Sequence, residues 1–287
     1  MSSDTPPFQT IAIVGLGLIG GSVALAVRER WPSVRVAAVD HPSVLAHAAG
    51  SGAIDRAVQR IAELGGTDLL LLAAPVEQNV GLLREASAHL NPDAVMSDVG
   101  GTKRGIVRAA AALPPATVFV GGHPIGGAER GGFSFARADL FRGRPWVFTP
   151  DQSAPAHAVE RLFAFASGLG ARPSTMDAGE HDRLMAFLSH LPQLTASVLM
   201  EIVGEAAAAD GLRLAGRGLV DTTRLASSPA DIWRDVCASN ADVIGVALDA
   251  LIARLTELRG NLGQGDVVEA VFVNAARWRA ELMKGRE

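Results

Sequence analysis

An apolar stretch, Ile11-Ala12-Ile13-Val14, runs straight into Gly15-Leu16-Gly17-Leu18-Ile19-Gly20, and a helix-compatible segment continues to about Arg30. This succession of strand, glycine turn and helix constrains the fold more than any other feature, because each glycine answers a separate steric demand. Gly15 permits the tight turn, Gly17 lets the backbone approach a pyrophosphate, and Gly20 lets the helix pack against its strand. Phosphates then sit on free amides at the positive end of the helix, with Leu16, Leu18 and Ile19 supplying the intervening backbone. The glycine spacing alone is weak; a strand before it and a helix after it make it a dinucleotide turn.

The second strand ends at Asp40, 25 residues after Gly15. A carboxylate there accepts both hydroxyls of an adenosine ribose and repels a 2′-phosphate. Residues 41–44, His-Pro-Ser-Val, contain no arginine to hold such a phosphate, so NAD is expected rather than NADP. Open α/β sheets gather ligands at the carboxyl ends of their strands. Ala74 and Pro75, after strand 69–73, and Asp98, after strand 94–97, are therefore expected beside the same cofactor.

From residue 10 to about 177, short apolar runs alternate with helix-like segments, the pattern of strands and crossover helices in a parallel sheet. Candidate strands cover 11–14, 34–39, 69–73, 94–97, 118–120 and 146–148, with a helix at 77–90. Unbroken apolar runs such as Leu69-Leu70-Leu71-Leu72 suit strands covered on both faces. From about Ala178 the strand signals vanish. Residues 184–209 are helix-compatible, and Ile244, Leu248, Leu251, Leu255 and Leu258 fall on one helical stripe. Val268, Val271, Ala275, Trp278 and Leu282 repeat that stripe. The expected architecture is α/β: a Rossmann-type, doubly wound, mainly parallel sheet over residues 1–177, followed by an all-α helical domain over 178–287. The broad apolar faces of the helical part predict a homodimer.

Composition excludes several classes. With 48% hydrophobic and 20% charged residues the chain is globular rather than disordered. Thirty acidic and 26 basic side chains give a net charge of −4 with no like-charge run, so neither nucleic acid nor an anionic membrane is an expected partner. The uncharged stretch 5–27 is broken by glycine and serine, and 184–200 by His190, Pro192 and Gln193; neither is expected to span a bilayer. The single cysteine, Cys237, closes no disulfide within the chain and reads as a small buried hydrophobe in a reducing cytoplasm. No metal site is expected.

Further distinctive segments follow in order. Strand 94–97 leads into Asp98-Val99-Gly100-Gly101-Thr102-Lys103, and strand 118–120 into Gly121-Gly122-His123-Pro124-Ile125-Gly126-Gly127-Ala128-Glu129. Later come Glu180-His181-Asp182-Arg183, Ser189-His190-Leu191-Pro192-Gln193, and Asp221-Thr222-Thr223-Arg224-Leu225-Ala226 followed by Trp233. Together, from Ile11 to about Asn240, these segments resemble the prephenate and arogenate dehydrogenase family, which makes tyrosine from a cyclohexadienol precursor.

The resemblance implies NAD-dependent oxidative decarboxylation of prephenate to 4-hydroxyphenylpyruvate, with arogenate, or both substrates, as the alternative. It implies that His123 is the catalytic histidine, bonded to the substrate's ring hydroxyl, and that Arg224 holds a substrate carboxylate. Glu129 falls near the substrate side chain, His190 and Gln193 reach the site from the helical domain, and Trp233 walls the pocket. Gly101 and Thr102 occupy the turn beside the imidazole. A neutral imidazole suits removal of a hydroxyl proton, and a guanidinium fork suits a carboxylate. Three positions depart from the family pattern: Gly101 replaces a usual serine, Gln193 a frequent histidine, and Ala128 a threonine or serine. They leave open a precursor with an amino group in place of the hydroxyl. A β-hydroxyacid dehydrogenase would rely on a helical-domain lysine, and 184–209 contains none. A retired NAD-binding sensor is opposed by the retention of His123 and Arg224.

Overall fold

The computed structural model describes residues 5–91, 93–127 and 130–284. β1 (Thr10–Val14) leads through the glycine turn into α1 (Leu18–Arg30). The alternation continues through β2 (Arg35–Val39), α2 (Pro42–Gly50), β3 (Arg56–Val58), β4 (Leu69–Leu72), α3 (Val76–Ser87), β5 (Val95–Asp98), α4 (Arg104–Ala110) and β6 (Val118–Pro124). β7 (Pro145–Thr149), α5 (Ala156–Gly168) and β8 (Arg172–Thr175) complete an eight-stranded sheet of order β3-β2-β1-β4-β5-β6-β7-β8. Every neighbouring pair is parallel except β6 and β7. The strand order reverses between β1 and β4, and a sheet of this kind opens its ligand crevice at that point.

Both faces of the sheet are covered, which explains the unbroken apolar strands. Ile11, Ile13, Leu69 and Leu71 enter one core, while Ala12, Val14, Leu70 and Leu72 enter the other. None of the eight is more than 4% exposed. Burying a side chain of leucine size contributes about 1.5–3 kcal/mol, so a polar residue in either strand would be strongly selected against by packing alone. β3 and β8, the two edges, carry no apolar run (Arg-Ala-Val and Arg-Pro-Ser-Thr) and add to the six strands expected from the sequence.

Among the described residues, helices alone follow β8. α6 (Ala178–Met185) is capped by the Asp177 carboxylate, which accepts from the amides of Gly179 and Glu180. It runs through a π turn at Ala186–His190 into α7 (Leu191–Leu212). Pro192 has no N–H to continue the helical ladder, and the ladder widens immediately before it. α8 (Arg217–Thr222), a 3₁₀ turn at Arg224–Ser227 and α9 (Ala230–Ser239) come next. The combined run Ala178–Leu212 is long and apolar enough to cross a bilayer by length and composition, at a mean hydropathy of 1.2. Near its start, however, His181 and Asp182 hydrogen-bond to β6 and to the residues following β5, which fastens that end to the sheet.

Packing divides the chain into two compact units, Met1–Ala241 and Asp242–Glu287. The second unit holds most of α10 (Ala241–Gly260) and all of α11 (Gly265–Lys284). Ile252, Leu255, Leu262, Phe272, Trp278 and Leu282 there are each more than half exposed, an apolar surface larger than isolated surface leucines require.

Candidate active site

The glycine turn after β1 has the geometry of a phosphate cradle. Gly15 sits at φ +97°, and a Cβ there would come within 2.7 Å of the Ala73–Ala74 backbone, so only glycine fits. A Cβ on Gly20 would lie 1.9 Å from the Gly15 carbonyl oxygen. Gly17, the N-cap of α1, has nothing within 4 Å of its Cβ position, and no side chain caps the helix. That leaves unpaired amides facing open space, which fits a dinucleotide pyrophosphate. Leu16 is buried beneath the turn, with Leu18 and Ile19 half-buried on the first turn of α1. Asp40 closes the cradle: Oδ2 accepts from the Leu16 amide at 2.5 Å and Oδ1 from the His41 amide at 2.6 Å. Each oxygen keeps a lone pair for a ribose hydroxyl. Across the crevice the Ala74 amide donates to Asn79 Oδ1, and Pro75 is the N-cap of α3.

Asp98 is not at the surface of this crevice. It is 1% exposed and paired with Lys103, itself wholly buried. Asp98 Oδ2 also accepts from the Gly100 amide (2.8 Å) and Oδ1 from the Gly122 amide (3.0 Å), while Lys103 Nζ donates to the Gly122 carbonyl (2.7 Å). Burial pulls the Lys103 ammonium below its ordinary pKa, and the Asp98 charge opposes that pull. A Cβ on Gly122 would approach the Asp98 carbonyl oxygen to 2.7 Å. The ion pair and the two glycines therefore fix the end of β6, and with it the next residue, His123.

His123 Nδ1 lies 2.9 Å from His181 Nε2, and His181 Nδ1 lies 2.8 Å from Asp182 Oδ1. His181 and Asp182 are fully buried at the start of α6. The Asp182 carboxylate accepts from the amides of Lys103 (2.7 Å) and Arg104 (2.9 Å) and from Arg104 Nε (3.3 Å). Burial pushes the Asp182 carboxyl up; the bonds from His181 and from the Arg104 and Lys103 amides outweigh it and hold the group below its usual value. Burial, with His181, Lys103 and His190 nearby, holds His123 well below the usual imidazole pKa, so it is a neutral base. His190 is lowered to about 4, again chiefly by burial. Asn240 joins these parts: Nδ2 donates to the Asp182 carbonyl (2.9 Å) and lies 3.4 Å from His190 Nδ1, while Oδ1 accepts from Arg104 Nη2 (2.8 Å). His190 meets Trp233 edge to face, with ring centroids 6.0 Å apart.

The other expected residues lie around this cluster to differing degrees. The Thr102 hydroxyl donates to Ser239 of α9 at 2.9 Å, and the residue is 2% exposed, so it is turned away from the space a serine at 101 would reach. Gly101 is open enough for a side chain, with Val236 Cγ2 at 3.8 Å as the sole neighbour of its Cβ position. Gln193 Nε2 donates to the Leu225 carbonyl (2.7 Å), and its Oε1 accepts from the Ser228 hydroxyl (3.1 Å). Arg224 is exposed and opens that same 3₁₀ turn. Gln193, Ser228, Trp233, Arg234 and Cys237 line a cavity of about 350 Å³, where Cys237 is half-buried rather than enclosed. Glu129 and Ala128 lie outside the described residues. Sequence reasoning assigned no role to Lys103, His181, Asp182, Arg104 or Asn240. The adjacent acid and imidazole at 181–182 were the one signal available for them.

Two family models match in tandem: prephenate dehydrogenase, nucleotide-binding domain, over residues 23–174, and prephenate dehydrogenase, dimerization domain, over 177–273. The prephenate dehydrogenase of Bacillus subtilis is 35% identical over 264 residues, covering 90% of this chain and 71% of that protein. The cyclohexadienyl dehydrogenase of Zymomonas mobilis is 31% identical over 268 residues, covering 90% of each. The crystal structure of prephenate dehydrogenase from A. aeolicus, in complex with hydroxyphenyl propionate and NAD+, superposes with a TM-score of 0.87 at 25% identity, covering 96% of this chain and 98% of that one.

Proposed function

The chain belongs to the prephenate dehydrogenase family, and from that premise we propose that it catalyses the NAD-dependent oxidative decarboxylation of prephenate to 4-hydroxyphenylpyruvate, a step of tyrosine biosynthesis. The observation that carries the reading is a neutral imidazole, His123, at the carboxyl end of β6 in a sheet whose first turn fits a pyrophosphate. Bound NAD supplies a hydride acceptor. The chain's own residues bind it through the 15–20 turn and Asp40, with Ala74 and Pro75 bordering the crevice and Asp98 acting from behind, through Lys103 and Gly122. His123 takes the proton of the ring hydroxyl, and burial keeps the imidazole free to do so near neutral pH. Release of carbon dioxide and aromatisation of the ring make the step strongly downhill.

Arg224 holds a substrate carboxylate, and Glu129, His190, Gln193, Trp233 and Gly101 shape the surroundings, while Thr102, bonded to Ser239, only ties the 101 turn to α9. The functional division falls at 177/178, the helical part joining two copies of the chain; the exposed Phe272, Trp278 and Leu282 of α11 support that pairing. The enzyme works in the cytoplasm, without nucleic acid or membrane. Following NADH formation with prephenate and with arogenate in parallel tests the reading. Prephenate is expected to be preferred by at least about tenfold in kcat/KM. Preference for arogenate would reassign the substrate, and no turnover with either would end the proposal.

A further inference from the structure

We propose that Asp182 and His181 are positioning residues that dictate which nitrogen of His123 carries hydrogen, and so make Nε2 the nitrogen that accepts the substrate's proton. The inference rests on His123 being the base, and it follows from counting donors and acceptors. Asp182 receives two main-chain amides and a guanidinium N–H, so it is ionised and can only accept. The His181 nitrogen facing it, Nδ1 at 2.8 Å, must therefore be the N–H. With His181 taken as neutral, its imidazole has one donor and one acceptor nitrogen, and Nε2 offers a lone pair. That lone pair faces His123 Nδ1 at 2.9 Å, which must then carry hydrogen. The lone pair of His123 is left on Nε2.

The opposite tautomer would set two lone pairs against each other in a dry setting, since neither His181 nor Asp182 is exposed to water that might relieve them. When the hydroxyl proton arrives on Nε2, the resulting imidazolium keeps its Nδ1–H bond to His181. Its charge then lies on a chain that ends in a carboxylate. Arg104 extends the device: its amide and Nε hold Asp182, and its Nη2 reaches Asn240.

Long-range proton–nitrogen NMR of the histidine rings in the free protein reads the tautomer directly. We expect His123 as the Nδ1–H form, and an Nε2–H signal for His123 would overturn the inference whatever the reaction proves to be. Two variants then separate positioning from structure. His181→Leu removes the acceptor and is expected to lower kcat by about 10²–10⁴ with NAD affinity and KM changed less than about threefold. His181→Gln restores a carbonyl acceptor near the Nε2 position and is expected to recover at least about tenfold of that loss. Near-normal kcat in His181→Leu, or no recovery in a folded His181→Gln, counts against the proposal. A harmless His123→Asn would instead remove the base assignment on which it stands, leaving the NMR result intact.

Discussion

Replacing Lys103 by methionine isolates the charge beneath the active site, because the thioether chain fills most of the space of the lysine stem. Lys103 and Asp98 are 0% and 1% exposed at their side chains. The substitution leaves the Asp98 carboxylate with its two amide donors, from Gly100 and Gly122, but without a countercharge, and it strips the Gly122 carbonyl of its N–H partner. Removing one member of a buried pair costs about 3–5 kcal/mol, and an orphaned carbonyl adds about 1 kcal/mol. A loss of about 4–6 kcal/mol is comparable to the whole stability of many domains. Adding Asp98→Asn removes the stranded charge and lets Oδ1 still accept from Gly122, but sets its amide nitrogen against the Gly100 N–H, and should return about 1–2 kcal/mol. Urea unfolding of the wild type, both single variants and the double variant gives the coupling energy directly. A Lys103→Met protein within 1 kcal/mol of wild type, or a double variant less stable than Lys103→Met, would refute the view that this pair holds the end of β6.

Gly20→Ala drives a Cβ to 1.9 Å from the Gly15 carbonyl oxygen; a loss of at least about 2 kcal/mol together with loss of NAD binding is expected by calorimetry, and unchanged binding would contradict the cradle geometry. Asp40→Ala should weaken NAD by about 10–100-fold and NADP much less, so an equal effect in fluorescence titrations would undo the ribose assignment. His190 has a folded pKa of about 4, against ~6.5 for an exposed histidine. Between those values the unfolded chain binds the extra proton and the folded one does not, so stability is lost as pH falls from about 6.5 towards 4, by up to about 3 kcal/mol. His190→Gln should shallow that slope in denaturant titrations, and parallel slopes would exclude His190 as its source.

The central strands were legible because burial on both faces demands continuous apolar residues, and Leu69–Leu72 is the plainest case. The edge strands β3 and β8 pair on one side only, so Arg172-Pro173-Ser174-Thr175 meets no such demand, and an edge tolerates its proline. At the site, motif spacing pointed to the glycine turn, and the family resemblance pointed to His123. For the buried chain behind His123, the segment Glu180-His181-Asp182-Arg183 stood out in the sequence, but nothing in it named His123 as its partner. His181 and Asp182 stand 58 and 59 residues from it, and only the docking of α6 against the end of β6 brings them together. Lys103 ends a distinctive segment in the sequence, yet nothing in its neighbours announces a carboxylate five residues earlier folded back upon it. Thr102 shows the converse: adjacent to Gly101 in the chain, it bonds instead to a helix 137 residues away.

The reversed direction of β7 has a consequence for how this enzyme can vary. β5 accompanies β6 only as far as Val120, and beyond that point Gly121 to Pro124 are matched against Thr149 to Trp146 alone. A slip of one residue along that rail would turn the His123 ring to the other side of the sheet. Insertions at the exposed residues 130–132 can thus lengthen a loop without moving the imidazole, whereas Phe133, Leu140 and Phe141 anchor the rest of that segment in the core. A single deletion inside β7 would silence the enzyme while leaving most of its fold standing.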